Sequence, residues 1–523
     1  MTEASVTDRV MAMLGLAVLY VVALFIYRLY FHPLAKFPGP KLPAATGWYE
    51  AYFDLFTPTG GQFMYEIKRM HEVYGPIVRI NPHELHVSDP EWLDTLFCGP
   101  THGHRDKYAP SALLTGVTKG VFGTIPHQVH RKRRAAINPL FSKANAAAAL
   151  SMIYDNVDLL MKRIEAQIAR DGHAEMRTNY LAYATDSVAE YFLEDSFHLL
   201  EDEEKAKDWY RSMRALTNMT PAAKQFSWVI PLSFKLPRTV LQLLSPDAAR
   251  IVNMHREMEH RAARAIQKHE QEGRVKARPQ STSELNIFRT ILDNDELPPA
   301  EKVFDRISHE GVVVIGAGGE TVSTTLAVGT YFVIACRDVV QPRLNEELKE
   351  VMPTRDARPS LRELERLPWL TAIIKEVLRI SALVTSRFPL ISKTPLRYKD
   401  WTIPPGTPVG MTLSEILMDP IIFSSPRDFQ PSRWLDTTPN ANPNLEKMNH
   451  AFVPFSRGNR MCMGVNLAWA ELYVAFAVLL RGDRFQLHET VRERDVDAVR
   501  DCFTGAVSND SRGIRIKYRD AGR

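Results

Sequence analysis

A single cysteine near the C-terminal end constrains the fold and chemistry of this chain more than any other residue. Cys462 lies in the run Phe455-Ser-Arg-Gly-Asn-Arg-Met-Cys-Met-Gly464, and the apolar stretch Val465–Leu480 behind it predicts a helix. The free amides at the N-terminus of such a helix favour a sulfur anion, which is the form of cysteine that binds metals. Gly458 and Gly464 permit close backbone approaches that a Cβ would block. The run therefore predicts a metal-binding thiolate in a tightly packed loop.

Most lone cysteines are inert, buried, small hydrophobic residues. Five positions match together here, however: Phe455, Gly458, Arg460, Cys462 and Gly464. They resemble the haem-binding signature of the haem-thiolate monooxygenases, the cytochrome P-450 family. The resemblance implies that these residues bind haem b and that Cys462 is the axial ligand of its iron, where a thiolate pushes electron density toward the metal. It also implies that Arg460 pairs with a haem propionate.

Length and composition fit this family. The resemblance implies one catalytic domain over residues 46–523, mainly α-helical with a small β portion. The net charge of +4 (65 Lys and Arg against 61 Asp and Glu) is too small to indicate a nucleic-acid partner. The four cysteines are too few for a disulfide framework, which favours a reducing compartment.

The N-terminal segment predicts a membrane anchor, assigned to residues 1–31. Val10–Tyr27 contains no charged residue, and a helix of this length spans about 27 Å, close to the hydrocarbon thickness of a bilayer. Lys and Arg are concentrated after this run, which predicts a single-pass protein with its catalytic domain in the cytosol. A cleaved signal peptide is the alternative, but no small-residue cleavage site follows the run. This arrangement resembles that of family members in the endoplasmic reticulum membrane. The Pro-rich residues 32–45 predict a stiff, non-helical hinge between the anchor and the catalytic domain.

Hydrophobic periodicity predicts long helices between two small hairpins. The first hairpin is predicted over Gly75–Val87, and the second over Leu396–Val409 with its turn at Pro404-Pro-Gly406. The helical patterns cover residues 142–170, 176–195, 245–270, 302–336 and 360–380. Residues 271–302 predict a surface loop with a short helix.

A basic helix that ends before Pro139 offers partners for the haem propionates. His130 and Arg134 are four residues apart and share a face. A solvated basic face is the usual explanation of such a charge run. The family resemblance implies instead that His130 and Arg134 contact one propionate. The outward residues Arg131 and Lys132 can meet an acidic redox partner.

The pattern 302–336 contains Gly316-Ala-Gly-Gly-Glu-Thr321, where the family places an acid and an alcohol on a helix beside the oxygen-binding face of haem. This implies that Glu320 and Thr321 deliver the protons that reduced dioxygen requires. Simple helix packing through small residues is one alternative. A dinucleotide-binding strand–turn–helix is another, because Val312–Gly319 imitates its glycine pattern, although Thr321 replaces the third glycine.

Four further residues have structural or cofactor roles by resemblance. Glu376 and Arg379 lie three apart on one helical face, and the family joins such a pair to a later arginine, here Arg433, in a buried ionic lock. Arg387 is a candidate for the second propionate. Many relatives carry another basic residue shortly after this position, but this chain has Leu390.

Together these features predict a monooxygenase that inserts one oxygen atom of O₂ into an apolar small molecule of secondary metabolism, a terpenoid or a polyketide. Several segments are similar to filamentous-fungal oxygenases of the trichodiene oxygenase type. Nothing else in the sequence resembles a flavin or nicotinamide site, so an NADPH-dependent flavoprotein reductase, with cytochrome b5 as an additional candidate, is expected to supply electrons. A haem-thiolate isomerase or dehydratase that needs no external electrons, and a flavin-dependent or purely haem-carrying protein, are the alternatives. We expect specificity to come from three loops, Asp106–Phe122, Leu383–Thr385 and Cys502–Val507.

Overall fold

The chain is mainly α-helical with small sheets, as the sequence predicts. The computed structural model describes residues 6–99, 103–114, 116–193, 195–272, 286–435 and 444–519. Its α-helices, in chain order, are α1 Val6–Ile26, α2 Lys41–Ala45, α3 Trp48–Ala51, α4 Phe63–Tyr74, α5 Leu93–Leu96, α6 Ala109–Leu113, α7 His127–Ile137, α8 Lys143–Ala148, α9 Leu150–Asp171, α10 Met176–Leu193, α11 Glu203–Gln225, α12 Val229–Lys235, α13 Arg238–Leu244, α14 Pro246–Glu272, α15 Ile287–Asp293, α16 Phe304–Ala335, α17 Arg337–Val351, α18 Leu361–Glu365, α19 Pro368–Ser381, α20 Leu413–Leu417, α21 Leu445–Ala451, α22 Val465–Leu480 and α23 Arg492–Asp495.

Short strands form four sheets within the described residues. The strands are β1 Ile77–Arg79, β2 Leu85–Val87, β3 Arg105–Lys107, β4 Ala174–Glu175, β5 Leu390–Ser392, β6 Leu396–Tyr398, β7 Trp401–Ile403, β8 Pro408–Gly410, β9 Phe485–Leu487, β10 Arg500–Cys502, β11 Thr504–Ala506 and β12 Arg515–Tyr518. Their order is β1-β2-β8-β5-β3 in the largest sheet, β4-β12-β9 in the second, and β10-β11 and β6-β7 in two hairpins.

The N-terminal apolar helix stands outside the core. Val6–Phe31 has a mean hydropathy of 2.5, and its most apolar part is not buried at all. Phe304–Ala335 is also long and apolar enough to span a bilayer, but most of it is buried, so it is a core helix. The exposed first helix therefore matches the predicted membrane anchor.

The prediction of a non-helical hinge over residues 32–45 is wrong in its second half. Lys41–Ala45 forms a helical turn, because Pro43 lies in the first turn, where a missing N–H costs nothing. The first half is packed rather than free: Phe37 stacks on Trp401 with ring centroids 5.0 Å apart, and the backbone N–H of Arg79 donates to Pro38 O at 2.7 Å.

The first predicted hairpin is confirmed, and the second is wrong in its turn. Strands β1 and β2 pair antiparallel. Strand β6 pairs with β7 through a two-residue turn in which Lys399 has φ 49°. After the two prolines at 404 and 405, which have no N–H to donate, the chain leaves this hairpin, and β8 joins the largest sheet beside β2 and β5.

The predicted helical patterns are confirmed, with two additional breaks. The pattern 142–170 is divided at Ala149 between α8 and α9, and the pattern 360–380 is divided between α18 and α19. The second break falls before Pro368, which occupies the first turn of α19. The basic helix ends at Ile137, before Pro139, as expected. The predicted short helix within 271–302 is α15, and residues 273–285 of that loop lie outside the described residues.

Helix α16 runs unbroken through the centre of the core, so the dinucleotide-binding alternative is wrong. Val312–Gly319 is helical throughout, with no strand or turn for a phosphate. The glycines serve helix packing instead. A Cβ on Gly318 would lie 2.5 Å from a methyl group of Val188, and a Cβ on Gly319 would lie 2.7 Å from Thr185 Oγ1, both on α10.

Candidate active site

The cysteine loop is held in shape by its own backbone. The N–H of Cys462 donates to Phe455 O at 2.9 Å, which closes the loop over the turn between them. Ser456 and Gly458 both adopt positive φ, 60° and 71°. Gly464 caps the N-terminus of α22. The predicted helix at Val465–Leu480 therefore begins directly behind the sulfur.

Gly458 has a strict packing role. Its Cβ would lie 2.3 Å from Phe97 O and 2.5 Å from Cys98 O, so no side chain fits. The next residue, Asn459, donates its backbone N–H to Cys98 O at 3.2 Å. Its side-chain amide lies 3.4 Å from Gly103 O. The loop is thus attached to the segment before β3, a contact that the sequence pattern did not predict.

The Cys462 side chain, at the end of its loop, is accessible to solvent. Protein nevertheless surrounds it closely enough that burial raises the pKa of its thiol. The backbone N–H of Gly464 and the guanidinium of Arg134 act in the opposite direction and favour the thiolate. A nearby positive charge and a helix N-terminus are the usual means of activating a cysteine sulfur.

Four basic side chains lie beside the loop, and among the described residues none of them forms a salt bridge with a carboxylate. Arg134 donates to Met461 O at 2.6 Å, and Arg460 donates to the carbonyls of Thr124 and Ile125 at 2.6 and 2.8 Å. His130 and Lys107 complete the cluster. Lys107 donates to Phe122 O at 2.8 Å, and its ammonium group lies 3.2 Å from the centroid of the Phe122 ring.

The pKa values of these groups show that burial and the neighbouring positive charges destabilise their protonated forms. Burial, with contributions from Arg460 and Arg134, lowers the pKa of His130 to about 3. Burial lowers that of Arg460 to about 10 although Asp106 opposes the shift. Burial and then Arg460 lower the pKa of Lys107 well below its usual value. Such a cluster is stable when it binds an anion.

Arg387, predicted for the second propionate, is engaged elsewhere. Its Nε donates to Glu84 Oε1 at 2.6 Å, and Nη2 donates to Glu50 Oε1 at 2.9 Å. Both carboxylates are buried, so they neutralise the guanidinium, and the prediction for Arg387 is not supported. Lys107 is the basic residue that the sequence analysis missed. Lys107 alternates with Arg105 on a short strand, and this sequence pattern does not predict that Lys107 lies beside the cysteine loop.

These residues fit a haem with its two propionates. Among the described residues, no group of three or more His, Cys, Asp or Glu side chains could hold a metal ion. A metal at Cys462 would therefore have to bring its other ligands, as porphyrin-bound iron does. The unmatched cations beside the loop are the expected partners of two carboxylates.

Helix α16 contributes small residues and a hydroxyl. Ala317 is exposed although it lies midway along a mostly buried helix, and a Cβ on Gly316 would meet nothing within 4 Å. Thr321 Oγ1 donates to Ala317 O at 2.8 Å. The helix therefore presents open space on one side near residues 316–317, with the Thr321 hydroxyl one turn away.

Glu320 faces a small polar cavity between α10, α11 and α16. Arg177, Tyr210, Arg214 and Ser323 line this cavity with it. Burial raises the pKa of Glu320, while Arg214 and Arg177 partly oppose that shift. A carboxyl group with a raised pKa keeps its proton to a higher pH than an ordinary glutamic acid does, and it can pass that proton on.

The structure brings Glu376, Arg379 and Arg433 together in a buried cluster. Arg379 donates to both oxygens of Glu376 at 2.8 and 3.0 Å, and Arg433 Nε donates to Oε1 at 3.1 Å. Two further donors that the sequence analysis missed complete it: Trp434 Nε1 at 2.9 Å and the Gln430 backbone N–H at 3.1 Å. Glu376 thus accepts five hydrogen bonds, which offsets the cost of burying its charge.

Comparisons with known proteins agree with this geometry. The family model described as Cytochrome P450 matches residues 45–508. The chain is 38% identical to tryptophan 6-hydroxylase (fscE) of Fusarium equiseti over 94% of each chain. It is 34% identical to N-acetyltryptophan 6-hydroxylase (ivoC) of Emericella nidulans over 98% of this chain and 97% of that one. It is 35% identical to stellatic acid synthase of Emericella variicolor, over 96% of this chain and 94% of that one. The chain therefore belongs to the cytochrome P450 family, the oxidoreductases that bind haem through a cysteine thiolate.

Proposed function

We propose that this protein hydroxylates or epoxidises an apolar small molecule in a fungal secondary metabolic pathway, using O₂ and electrons from an NADPH-dependent flavoprotein reductase. The observation that carries the proposal is the accessible Cys462 at the N-terminus of α22, beside Arg134, Arg460 and Lys107, for which the described residues provide no salt bridge. The family match and the fungal monooxygenase relatives support it.

In such a reaction, the residues beside the cysteine loop would bind the haem. Thiolate-bound haem, when present, supplies the activation of dioxygen. The Cys462 sulfur would hold the iron, and His130, Arg134, Arg460 and Lys107 would hold the propionates. In this assignment Lys107 takes the role first given to Arg387.

Proton delivery belongs to Glu320 and Thr321. The polar cavity beside Glu320 opens between two arginines and a tyrosine, a setting that can hold water and pass protons inward. The Thr321 hydroxyl can receive a proton from Glu320 through water and present it on the open side of α16. Glu376, Arg379 and Arg433 are structural in this scheme.

The substrate is expected to be apolar. The predicted loop Asp106–Phe122 borders a cavity of about 230 Å³ that is lined by Leu113, Ile125 and Val129 together with Thr118, Thr124 and Arg133. A terpenoid or polyketide scaffold fits the apolar part of this lining, and stellatic acid synthase is among the relatives. An indole is the second candidate, because two relatives are named as 6-hydroxylases of tryptophan or N-acetyltryptophan. Binding titrations with N-acetyltryptophan and with a terpene hydrocarbon, read from the haem absorption band, discriminate between them.

We further propose that the protein is a single-pass protein of the endoplasmic reticulum membrane with residues 46–523 in the cytosol. Exposed apolar side chains next to the anchor would lie in the lipid surface. The Trp48 ring lies 6.3 Å from that of Phe226, which lies 6.2 Å from that of Trp228. Leu243 and Leu244 of α13 are also exposed. Arg131 and Lys132 are exposed on α7 and offer a surface for an acidic redox partner, either the reductase or cytochrome b5.

The deciding experiment compares the full chain with Cys462→Ser. We expect the wild type, reduced and exposed to carbon monoxide, to show the strongly red-shifted band of a thiolate-bound haem, and to turn over only with NADPH and reductase. The variant should lose both properties. Turnover without reductase would favour the isomerase or dehydratase alternative, and hydroxylation by the serine variant would refute the assignment of the ligand.

A further inference from the structure

One buried carboxylate, Asp501 on β10, connects the end of a long helix to a loop of the candidate site. Its Oδ1 accepts hydrogen bonds from Thr385 Oγ1 at 2.9 Å, Ser386 Oγ at 2.6 Å and the backbone N–H of Phe503 at 3.1 Å. Its Oδ2 accepts from Lys224 Nζ at 3.1 Å. One carboxylate oxygen therefore binds the loop at Thr385 and Ser386 and the tip of the β10–β11 hairpin, and the other binds Lys224 of α11.

Lys224 lies in the last turn of α11 and is itself buried. It also pairs with Asp54 Oδ2 at 2.9 Å. Burial alone would lower the pKa of Lys224, but Asp501, Asp54 and Glu50 together raise it. The lysine thus stays charged inside the protein. Removing one partner from such a buried pair is strongly destabilising, so the end of α11 is firmly tied to Asp501.

Phe503 is held in an unusual backbone conformation at the tip of the β10–β11 hairpin. Its φ is 79°, a region that a phenylalanine adopts only when its surroundings enforce it. Asp501 binds its N–H, and its carbonyl accepts from the backbone N–H groups of Thr385 and Ser386 at 3.2 and 3.3 Å. These bonds fix the direction in which the Phe503 side chain projects.

The Phe503 ring projects into a cluster of three phenylalanines. Its centroid lies 5.2 Å from that of Phe388 and 5.9 Å from that of Phe122. The Phe122 ring in turn covers the ammonium group of Lys107. The cluster therefore borders the cations assigned to the propionates. Phe122 and Phe503 belong to two of the three regions expected to set specificity, and the third region contacts Phe503 through the backbone N–H of Thr385.

We propose that Lys224 and Asp501 are positioning residues that set the Phe503 ring as one wall of the substrate site, so that the position of the end of α11 controls the room available to large ligands. This inference rests on the proposed haem site. It assigns Phe503 to specificity. It also gives Lys224 a role in specificity, although Lys224 lies 277 residues from Asp501 in the chain and is not an apolar residue.

The test compares two probes that bind haem iron through the same imidazole nitrogen but differ in size, imidazole and 4-phenylimidazole. Their dissociation constants are measured from the shift of the haem absorption band of the full-length ferric protein. The variants are Lys224→Met combined with Asp54→Asn, which removes one charge of each sign, and Asp501→Asn, which keeps an acceptor oxygen for the loop but loses the pair with Lys224. Phe503→Ala is the direct comparison. Lys207→Met is the matched control, since Lys207 lies on α11 but pairs only with surface carboxylates.

We expect the ratio of the two dissociation constants to change by about fivefold or more in the Lys224/Asp54 double variant, in Asp501→Asn and in Phe503→Ala, a size typical of coupling between contacting residues. Lys224→Arg and Lys207→Met should leave the ratio within about twofold of wild type. Adding Phe503→Ala to the double variant should produce no further change.

An unchanged ratio in both the double variant and Asp501→Asn, with a changed ratio in Phe503→Ala, would overturn the positioning role. A failure of imidazole, the smaller probe, to shift the band of the wild type would instead overturn the haem assignment. If the double variant does not fold, as judged by circular dichroism, Asp501→Asn decides the question alone.

Discussion

At the scale of single residues, the presence or lack of a carboxylate partner separates the functional cations from the structural ones. Arg387 and Lys107 are both basic, and both lie near the largest sheet. Arg387 is neutralised by two buried carboxylates. Lys107 contacts a carbonyl and aromatic rings only, according to the contacts of the described residues. An anion that is not part of the chain can therefore stabilise the charge of Lys107. The charge of Arg387 is already neutralised by carboxylates of the chain.

Lys107→Met should weaken haem binding without unfolding the protein. A charge-assisted hydrogen bond contributes about 1.5–3 kcal/mol, so we expect haem loss to be faster by about tenfold to a hundredfold. The measurement is the transfer of haem to an excess of apomyoglobin.

The companion variant Arg387→Met should behave in the opposite way. It leaves Glu50 and Glu84 buried and unpaired, which should lower the free energy of unfolding by ~3–5 kcal/mol while haem loss from the folded protein stays close to the wild-type rate. Faster haem loss in Arg387→Met alone would restore the original assignment.

Glu471→Gln should reveal a buried acid that stays protonated. Glu471 lies within α22, nearly inaccessible, and its Oε1 has no hydrogen-bond partner among the described residues. Burial raises its pKa well above the usual value. The unfolded chain releases this proton at a lower pH than the folded protein does, so the contribution of Glu471 to stability falls as pH rises above the unfolded value of ~4.5.

Glutamine resembles the protonated acid but does not titrate. We expect Glu471→Gln to melt higher than the wild type at pH 8, by more than ~1 kcal/mol in unfolding free energy, and the difference to shrink toward pH 5. Thermal denaturation followed by circular dichroism at the two pH values gives the result. A difference independent of pH would show that Glu471 is ionised in the folded protein.

At the scale of elements, α16 has two faces with opposite requirements. Gly318 and Gly319 let the helix approach α10 closely. Gly316 and Ala317 instead border open space. One short glycine-rich run thus combines tight packing on one side with room for a cofactor or oxygen on the other, which explains why its sequence also resembles a phosphate-binding turn.

Gly318→Ala and Gly316→Ala should therefore have opposite effects on stability. The first places a methyl group 2.5 Å from Val188, and overpacking of this kind costs about 1–3 kcal/mol. The second meets nothing within 4 Å and gains the helix preference of alanine, about 0.5–1 kcal/mol. Denaturant unfolding measures both.

A repacking variant supplies the control. Val188→Ala should recover part of the stability lost in Gly318→Ala, because it removes the methyl groups that the new Cβ meets. If Val188→Ala and Gly318→Ala were strictly additive, the close approach of α16 to α10 would not be the cause.

At the scale of the whole molecule, the anchor is tied to the catalytic domain. Arg28 Nη1 donates to Ala45 O at 2.8 Å, and Arg79 Nη1 donates to Arg28 O at 2.8 Å. Large apolar side chains are exposed on the catalytic domain, among them Trp48, Trp228, Leu243 and Leu244. Exposed apolar side chains of this kind can mark a contact with lipid or protein, and the closeness of Trp48 to the anchor in the sequence favours lipid.

A fluorescent label at position 243 should report this contact in the full-length protein. Leu243 and Ile421 are both 87% exposed, so Leu243→Cys and Ile421→Cys can be labelled equally well. After reconstitution into phosphatidylcholine vesicles that carry nitroxide groups on their acyl chains, we expect strong quenching at 243 and little at 421. Equal quenching at both positions would contradict the proposed orientation.

The sequence by itself determined the family, the candidate thiolate ligand, the apolar N-terminal helix and most other helices. These depend on local patterns: a run of ten residues around Cys462, a charge-free N-terminal stretch and helical periodicity. The tertiary structure decided which distant charges meet. It turned Arg387 toward Glu50 and Glu84, left Lys107 beside Arg460, and joined Lys224 to Asp501 across more than half of the chain. A buried charge is stable only with a partner, and that partner is set by the packing of elements far apart in the sequence, which no local pattern records.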